Sequence, residues 1–201
     1  TKERVYFLTL HANRKCVDML QLIPPENVIT IDNDGAVRFV ASMLKCLMTM
    51  RTLRFDISLD MELFSRISSI LAYLSGAAVR VGYHRHSMEG LYRGSLTTHP
   101  VFYNHTQHIS KNFLALVRAL GVVPGTHPLL KDRIDDSELV IPHIDADPSI
   151  RESLWQRLVE KCPEIKQQSR IIIINPNAGD LLPIRAWPLK RYIELAQRLL
   201  N

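Results

Sequence analysis

The chain has 201 residues, 46 % of them hydrophobic and 22 % charged, a globular composition that excludes disordered, collagen-like and coiled-coil proteins. Its formal net charge is +5, which favours anionic partners such as phosphates, nucleic acid or a membrane surface without choosing among them. Three widely spaced cysteines, Cys16, Cys46 and Cys162, form no CxxC pair and no even framework, so a zinc ribbon or a secreted disulfide scaffold is excluded and a reducing, cytoplasmic setting is expected.

Short apolar runs alternate with longer segments of helical period, the pattern of a parallel sheet covered by helices. Val5–Leu10 predicts a first strand and Asn13–Leu22 a short helix stopped by Pro24 and Pro25. Val28–Ile31 predicts a second strand, ended by the turn residues Asp32, Asn33, Asp34 and Gly35. Ala36–Met50 predicts a helix whose core face carries Val37, Val40, Ala41, Leu44 and Leu47. Phe55–Leu59 predicts a third strand, Leu63–Leu74 its helix, and Val79–Val81 a short fourth strand. A long polar stretch from Tyr83 to His108 leads to a helix over Ile109–Leu120, closed by Gly121.

After that helix the composition changes. Residues 122–149 hold Pro124, Pro128, Pro142 and Pro148 among aspartates, which reads as a connector or edge hairpin. A helix around Ser149–Lys161 follows, then Arg170–Ile174 as a buried strand heading a second sheet, and an amphipathic helix over Tyr192–Leu200. The organisation expected is a first domain over 1–121 lacking its N-terminal strand, a connector over 122–149, and the start of a second domain over 150–201. A chain that opens at Thr1 without methionine and stops just after a helix reads as a fragment. The apolar run Ile67–Val79 is too short and too rich in serine to span a bilayer, and the first residues lack the design of a signal peptide.

The segment 171–189 carries the most chemistry. An apolar strand ends in the small-residue loop Asn177, Ala178 and Gly179, and Pro188 stands where a helix begins. Such a unit offers free backbone N–H groups to an anion, and Arg185 adds a forked cation suited to phosphate oxygens. A plain strand-to-helix connection with a solvated arginine is the simpler alternative. The stretch 80–111 is basic, with Arg80, Arg85, Arg93 and Lys111 and five histidines against the single acid Glu89. It reads either as an anion-holding loop or as a solvated one. His105 and His108 lack a third ligand at metal spacing, and Asp32 and Asp34 read as a turn and helix cap, so no metal site is expected. Asp60 stands at the carboxyl end of the third strand, in a capping role. No GxGxxG, Walker loop, GxSxG or HExxH is present, and aromatics are not interleaved with the basic residues. A nicotinamide cofactor and a nucleic-acid partner are therefore not expected.

Phe55-Asp-Ile-Ser-Leu-Asp60, the run Phe64–Ala77 and Val79-Arg-Val-Gly-Tyr83 together resemble the middle of the N-terminal domain of glycosyltransferase family 9, which includes the ADP-heptose:lipopolysaccharide heptosyltransferases. His108–Gly121 resembles the helix that closes that domain. Asn175-Pro-Asn-Ala-Gly179 with Arg185–Ala196 resembles the start of the second. The resemblance implies a GT-B architecture of two Rossmann-like domains. It implies inverting transfer of a heptose or related sugar from an ADP-sugar to an anionic lipopolysaccharide-core acceptor. No cofactor or metal is implied. Asn177, Ala178, Gly179 and Arg185 would face the donor diphosphate, and Arg85, His108 and Arg66 the acceptor. The family's catalytic aspartate follows its first strand, a segment not found in these residues, so no catalytic base is assigned. Where the family often has a second basic residue, four after His108, this chain has Asn112. The implied setting is cytoplasmic, open to peripheral contact with the inner face of the inner membrane. The alternative reading is a non-catalytic module that binds an anionic sugar or nucleotide.

Overall fold

The computed structural model describes residues 4–84, 94–123, 133–142, 144–176 and 186–200. It divides into two compact units, Thr1–Ile144 and Asp145–Asn201.

The first unit is α/β, and every strand pairing among its described residues is parallel. Strand β1 (Phe7–Leu10) pairs with β2 (Val28–Ile31) in the register Phe7 to Val28. The crossover between them runs through helix α1 (Arg14–Leu20). The Arg14 guanidinium fastens it, donating to the carbonyls of Pro25 at 2.8 Å and Val28 at 3.1 Å. Helix α2 (Ala36–Leu53) follows Gly35, whose φ of +91° an L side chain adopts only under strain. It leads to β3 (Ile57–Asp60), helix α3 (Arg66–Leu74), β4 (Val79–Tyr83), β5 (His99–Val101) and helix α4 (Ile109–Arg118). Strands β3, β4 and β5 form a separate three-stranded sheet in that order.

Two apolar clusters hold this unit. Ile31, Cys46, Met50 and Leu71 are buried together, with Phe39, Met43, Leu47 and Phe55 packed against them. This corrects the expected core face of α2. Val37, Val40 and Leu44 are exposed, and the helix buries Cys46 and Met50 one step around, because apolar residues cover more than one of its faces. The second cluster joins Val81, Tyr83 and Val101 of the sheet to Ala115 and Leu116 of α4 and Ala119 in the turn after it. Leu116 is fully buried, which is worth about 1.5–3 kcal/mol. Ile134 belongs to the same cluster, and Lys111 pairs with Asp136 at 2.7 Å and Arg118 with Glu138. Those contacts fasten residues 133–138, which the sequence reads as part of a connector, to α4.

The polar stretch expected between Tyr83 and His108 holds a strand, β5, that its composition hides. In the second unit, helix α5 (Pro148–Lys161) starts at Asp147, whose carboxylate accepts the Ser149 N–H at 2.8 Å and hydroxyl at 2.7 Å. Helix α6 (Leu189–Leu200) follows. The strand expected over Arg170–Ile174 does not form, and Ile171, Ile172 and Ile173 are exposed. A strand needs a partner for its N–H and C=O groups, and none pairs with this run among the described residues. No helix among the described residues is long and apolar enough to cross a membrane.

Candidate functional site

Because β3, β4 and β5 are parallel, their carboxyl ends open onto one edge of the sheet, where loops and helix N-termini gather. Strand β3 ends there at Asp60, which is buried. Its carboxylate accepts the Glu62 backbone N–H at 3.2 Å and the Ser68 hydroxyl at 3.1 Å, tying the β3–α3 loop to the first turns of α3. Gly82 lies opposite Asp60 in the register. A Cβ there would stand 2.9 Å from the Thr97 methyl and 3.4 Å from the Asp60 Cβ, so the close approach needs glycine. Asp60 thus braces the β3–α3 loop and does not cap α3 as expected, since the helix starts after Ser65 and, among the described residues, no side chain accepts its first N–H groups.

Strand β4 leaves the sheet at His84. Its backbone N–H donates to the Val101 carbonyl at 2.8 Å, and its ring rests against Phe102 at 5.1 Å between centroids. Beyond β5 the chain turns into α4 at His108, the residue that caps the helix. His108 Nδ1 accepts the Ser110 N–H at 3.3 Å and lies 2.7 Å from the Ser110 hydroxyl. With Nδ1 accepting, the ring proton sits on Nε2, and the side chain is exposed.

Four residues on, Asn112 is 1 % exposed and holds the β5–α4 loop. Its amide oxygen accepts the Asn104 N–H at 2.8 Å, and its amide nitrogen donates to the Asn104 carbonyl at 3.0 Å. The resemblance implies a cation at this place. The residue present instead fixes the backbone leading to His108. Its signal was available in the sequence: Asn112 shares the apolar stripe of Ala115, Leu116 and Ala119, where a polar residue must be bonded internally.

The basic stretch sorts into two groups. Arg80 donates to the carbonyls of Leu96 at 2.8 Å and Ala77 at 2.6 Å, and stacks over Tyr73 at 5.4 Å. Lys111 is paired with Asp136. These two cations are framework. Arg66 opens α3, is exposed, and makes no side-chain hydrogen bond or ion pair among the described residues. Arg66 and His108 therefore begin helices at the same edge of the sheet, after β3 and β5, each with donor capacity toward solvent. Arg85 lies outside the described residues, as do Asn177, Ala178, Gly179 and Arg185.

Among the described residues no group of three His, Cys, Asp or Glu side chains could hold a metal ion. Asp32 accepts the Asp34 N–H at 2.8 Å, an Asx turn, and its own N–H donates to the Ser42 hydroxyl at 3.0 Å. In the second unit an open hollow of about 590 Å³ lies along α5, lined by Pro148, Arg151, Trp155, Leu158 and Gln167 among others. All five belong to exposed or half-exposed surface. Comparison of the chain with protein-family models, curated proteins and solved structures finds no match.

Proposed function

We propose that the chain is part of a GT-B glycosyltransferase of family 9 type, which moves a heptose or related sugar from an ADP-sugar to an anionic lipopolysaccharide-core acceptor. The observation that carries this reading is the sorting of cations at the carboxyl edge of the first sheet. Arg80 and Lys111 are spent on the fold, whereas Arg66 and His108 Nε2 remain turned to solvent where a parallel sheet binds ligands. The motif residues Asn177, Ala178, Gly179 and Arg185 support a diphosphate on the donor side.

In such a transfer the acceptor oxygen attacks the anomeric carbon and the bond from that carbon to the diphosphate oxygen breaks. A base takes the hydroxyl proton, and ADP leaves with the electron pair. Arg185 and the backbone N–H groups beside it would neutralise the charge growing on the diphosphate. Arg66, Arg85 and His108 would orient the acceptor. The base is not assigned to any of these residues.

The test is binding rather than turnover. Titration calorimetry with ADP-heptose should show saturable binding that Arg185→Ala weakens about tenfold to hundredfold, the loss of one charge-assisted hydrogen bond to phosphate. Titration with an anionic core oligosaccharide should be weakened by Arg66→Ala and not by Arg80→Lys. Equal affinity of wild type and Arg185→Ala for ADP-heptose would remove the donor site. Equal affinity of wild type and Arg66→Ala for the oligosaccharide would remove the acceptor site.

A further inference from the structure

Strand β3 ends at Asp60, and the loop 61–65 carries the chain from there to Arg66, where α3 begins. Two successive carboxylates fix this loop. Asp60 Oδ1 accepts the Glu62 N–H at 3.2 Å, and Glu62 Oε1 accepts the Phe64 N–H at 3.1 Å. Leu63 anchors it to the core, packed against the cluster of Val81, Tyr83 and Leu116. Exposure alternates along the braced chain: Leu63 and Ser65 are half-buried, whereas Glu62, Phe64 and Arg66 are exposed. These three side chains therefore share the outward side of the loop, at the carboxyl edge of the sheet.

Phe64 is 60 % exposed although its backbone is held. It stands one residue ahead of Ser65, which precedes α3, a place where an apolar side chain ordinarily packs against the fourth helical residue. That residue is Ser69, which is buried and donates its hydroxyl to the Arg66 carbonyl at 3.1 Å, so the helix offers Phe64 no such partner. Nor does its ring join an aromatic pair among the described residues. Single exposed apolar side chains are ordinary on protein surfaces. This ring differs in its company, a carboxylate with a spare oxygen and a guanidinium without a partner. Glu62 Oε2 accepts no hydrogen bond, and Arg66 makes no side-chain hydrogen bond or ion pair, among the described residues.

We infer that Glu62, Phe64 and Arg66 form a saccharide subsite in which the Phe64 ring is the stacking platform for one pyranose ring. A pyranose is amphipathic. One side presents C–H groups, whose partial positive charge is drawn to the negative face of an aromatic ring, and the rim carries hydroxyls. Glu62 Oε2 accepts one of those hydroxyls in a charge-assisted hydrogen bond. Arg66, whose backbone lies within about 7 Å of that of Phe64, holds a phosphate or carboxylate on the same sugar or the next. A bare anion would use Arg66 and leave the ring and the carboxylate without a role. An anionic lipid surface would meet the exposed Glu62 carboxylate, a like charge that opposes it. The inference rests on the acceptor edge proposed above, and adds the side chains that select a sugar over another anion. It holds for a transferase and for a binding module alike.

Titration calorimetry with an anionic core oligosaccharide, beside tryptophan fluorescence, tests it. Phe64→Ala should bind the oligosaccharide about tenfold more weakly than wild type. Phe64→Leu, which keeps apolar bulk without a ring, should bind it about threefold more weakly. Glu62→Gln still accepts the Phe64 N–H but loses the charge, and should weaken binding about threefold. Phe64→Trp should bind about as well as wild type, and saturation should shift the emission of the introduced indole to shorter wavelength, a shift absent from wild type. Should Phe64→Ala fail to fold, the leucine and tryptophan variants decide. Equal affinity of wild type and Phe64→Leu for the oligosaccharide, with no shift in Phe64→Trp, overturns the subsite and leaves Arg66 as an anion contact alone. A shift produced by phosphatidylglycerol vesicles and not by the oligosaccharide overturns it in favour of a lipid surface. If wild type itself does not bind the oligosaccharide, the acceptor edge falls and the subsite with it.

Discussion

The two ring nitrogens of His108 have separate duties, and substitutions can divide them. Nδ1 caps α4 by accepting the Ser110 N–H, while Nε2–H faces solvent. His108→Asn keeps a good cap and removes the outward donor. His108→Ala removes both and should cost about 1 kcal/mol of stability. Denaturant midpoints should therefore separate alanine from wild type and leave asparagine near it, while both variants bind an anionic core oligosaccharide less well. An asparagine variant with unchanged affinity would leave His108 as a cap alone. Cysteine chemistry divides in a similar way. Burial pushes the Cys46 thiol up to about 11, whereas Cys16 and Cys162 are exposed. Iodoacetamide at pH 8 on the native protein should label Cys16 and Cys162 and spare Cys46, and mass spectrometry of the peptides reads the result directly. Rapid labelling of Cys46 would contradict its burial against Ile31 and Met50.

At the level of the elements, the start of α5 rests on the short side chain of Asp147. Hydrogen bonds from the Ser149 hydroxyl and backbone N–H hold the Asp147 carboxyl below the usual carboxylate range. A lowered folded-state pKa contributes stability that is present above the unfolded value, about 3.9, and is lost as pH falls through the folded one. The α5 signal in circular dichroism should thus decline in acid below about pH 3.9. Asp147→Asn, which caps without titrating, should lose that step; an acid transition identical to wild type would assign it elsewhere. Gly82→Ala tests strand β4 in turn. Its new methyl would stand 2.9 Å from the Thr97 side-chain methyl and 3.4 Å from the Asp60 Cβ, so a loss of roughly 1–3 kcal/mol is expected, with partial recovery in Gly82→Ala combined with Thr97→Ser. Much of this level was legible from pattern alone. The run Val28–Ile31 is a strand with those bounds, and Pro and Gly mark the ends of α1 and the start of α2. Strand β5 was hidden because three residues, His-Pro-Val, carry no period. The Arg170–Ile174 run misled because an apolar string specifies burial only where a partner strand exists. Of the residues proposed for the acceptor, His108 was placed just ahead of its helix by sequence, whereas the helix expected from Leu63 begins only at Arg66, and the diversion of Arg80 and Lys111 into internal contacts depends on tertiary neighbours, Leu96 and Asp136, that no local spacing reveals.

Across the whole molecule the two units differ in how much they bury. The first has two clusters with side chains under 3 % exposed, among them Val81, Leu116 and Cys46. In the second, no described residue is buried; Ile173 is 88 % exposed, Leu189 68 % and Ile193 51 %. Its helices have 14 and 12 residues, lengths at which a helix without packing is marginal in water. Opening free energies follow buried apolar contact, so native-state hydrogen exchange should rank the amides of α5 and α6 well below those of β4 and α4. Equal protection in both units would mean that α5 and α6 are held by contacts as extensive as those of the first cluster. This ranking bears on the proposed donor site, since Asn177 through Arg185 belong to the less stable unit. A ligand that binds only the folded form stabilises it by about 2.7 kcal/mol at one hundred times its dissociation constant. ADP-heptose at that level should slow exchange in α6 by about a hundredfold and leave β4 unchanged, and Arg185→Ala should abolish the slowing. If the added nucleotide sugar protects β4 and α4 instead, the diphosphate binds at the carboxyl edge of the first sheet, and the division of donor and acceptor between the two units is reversed.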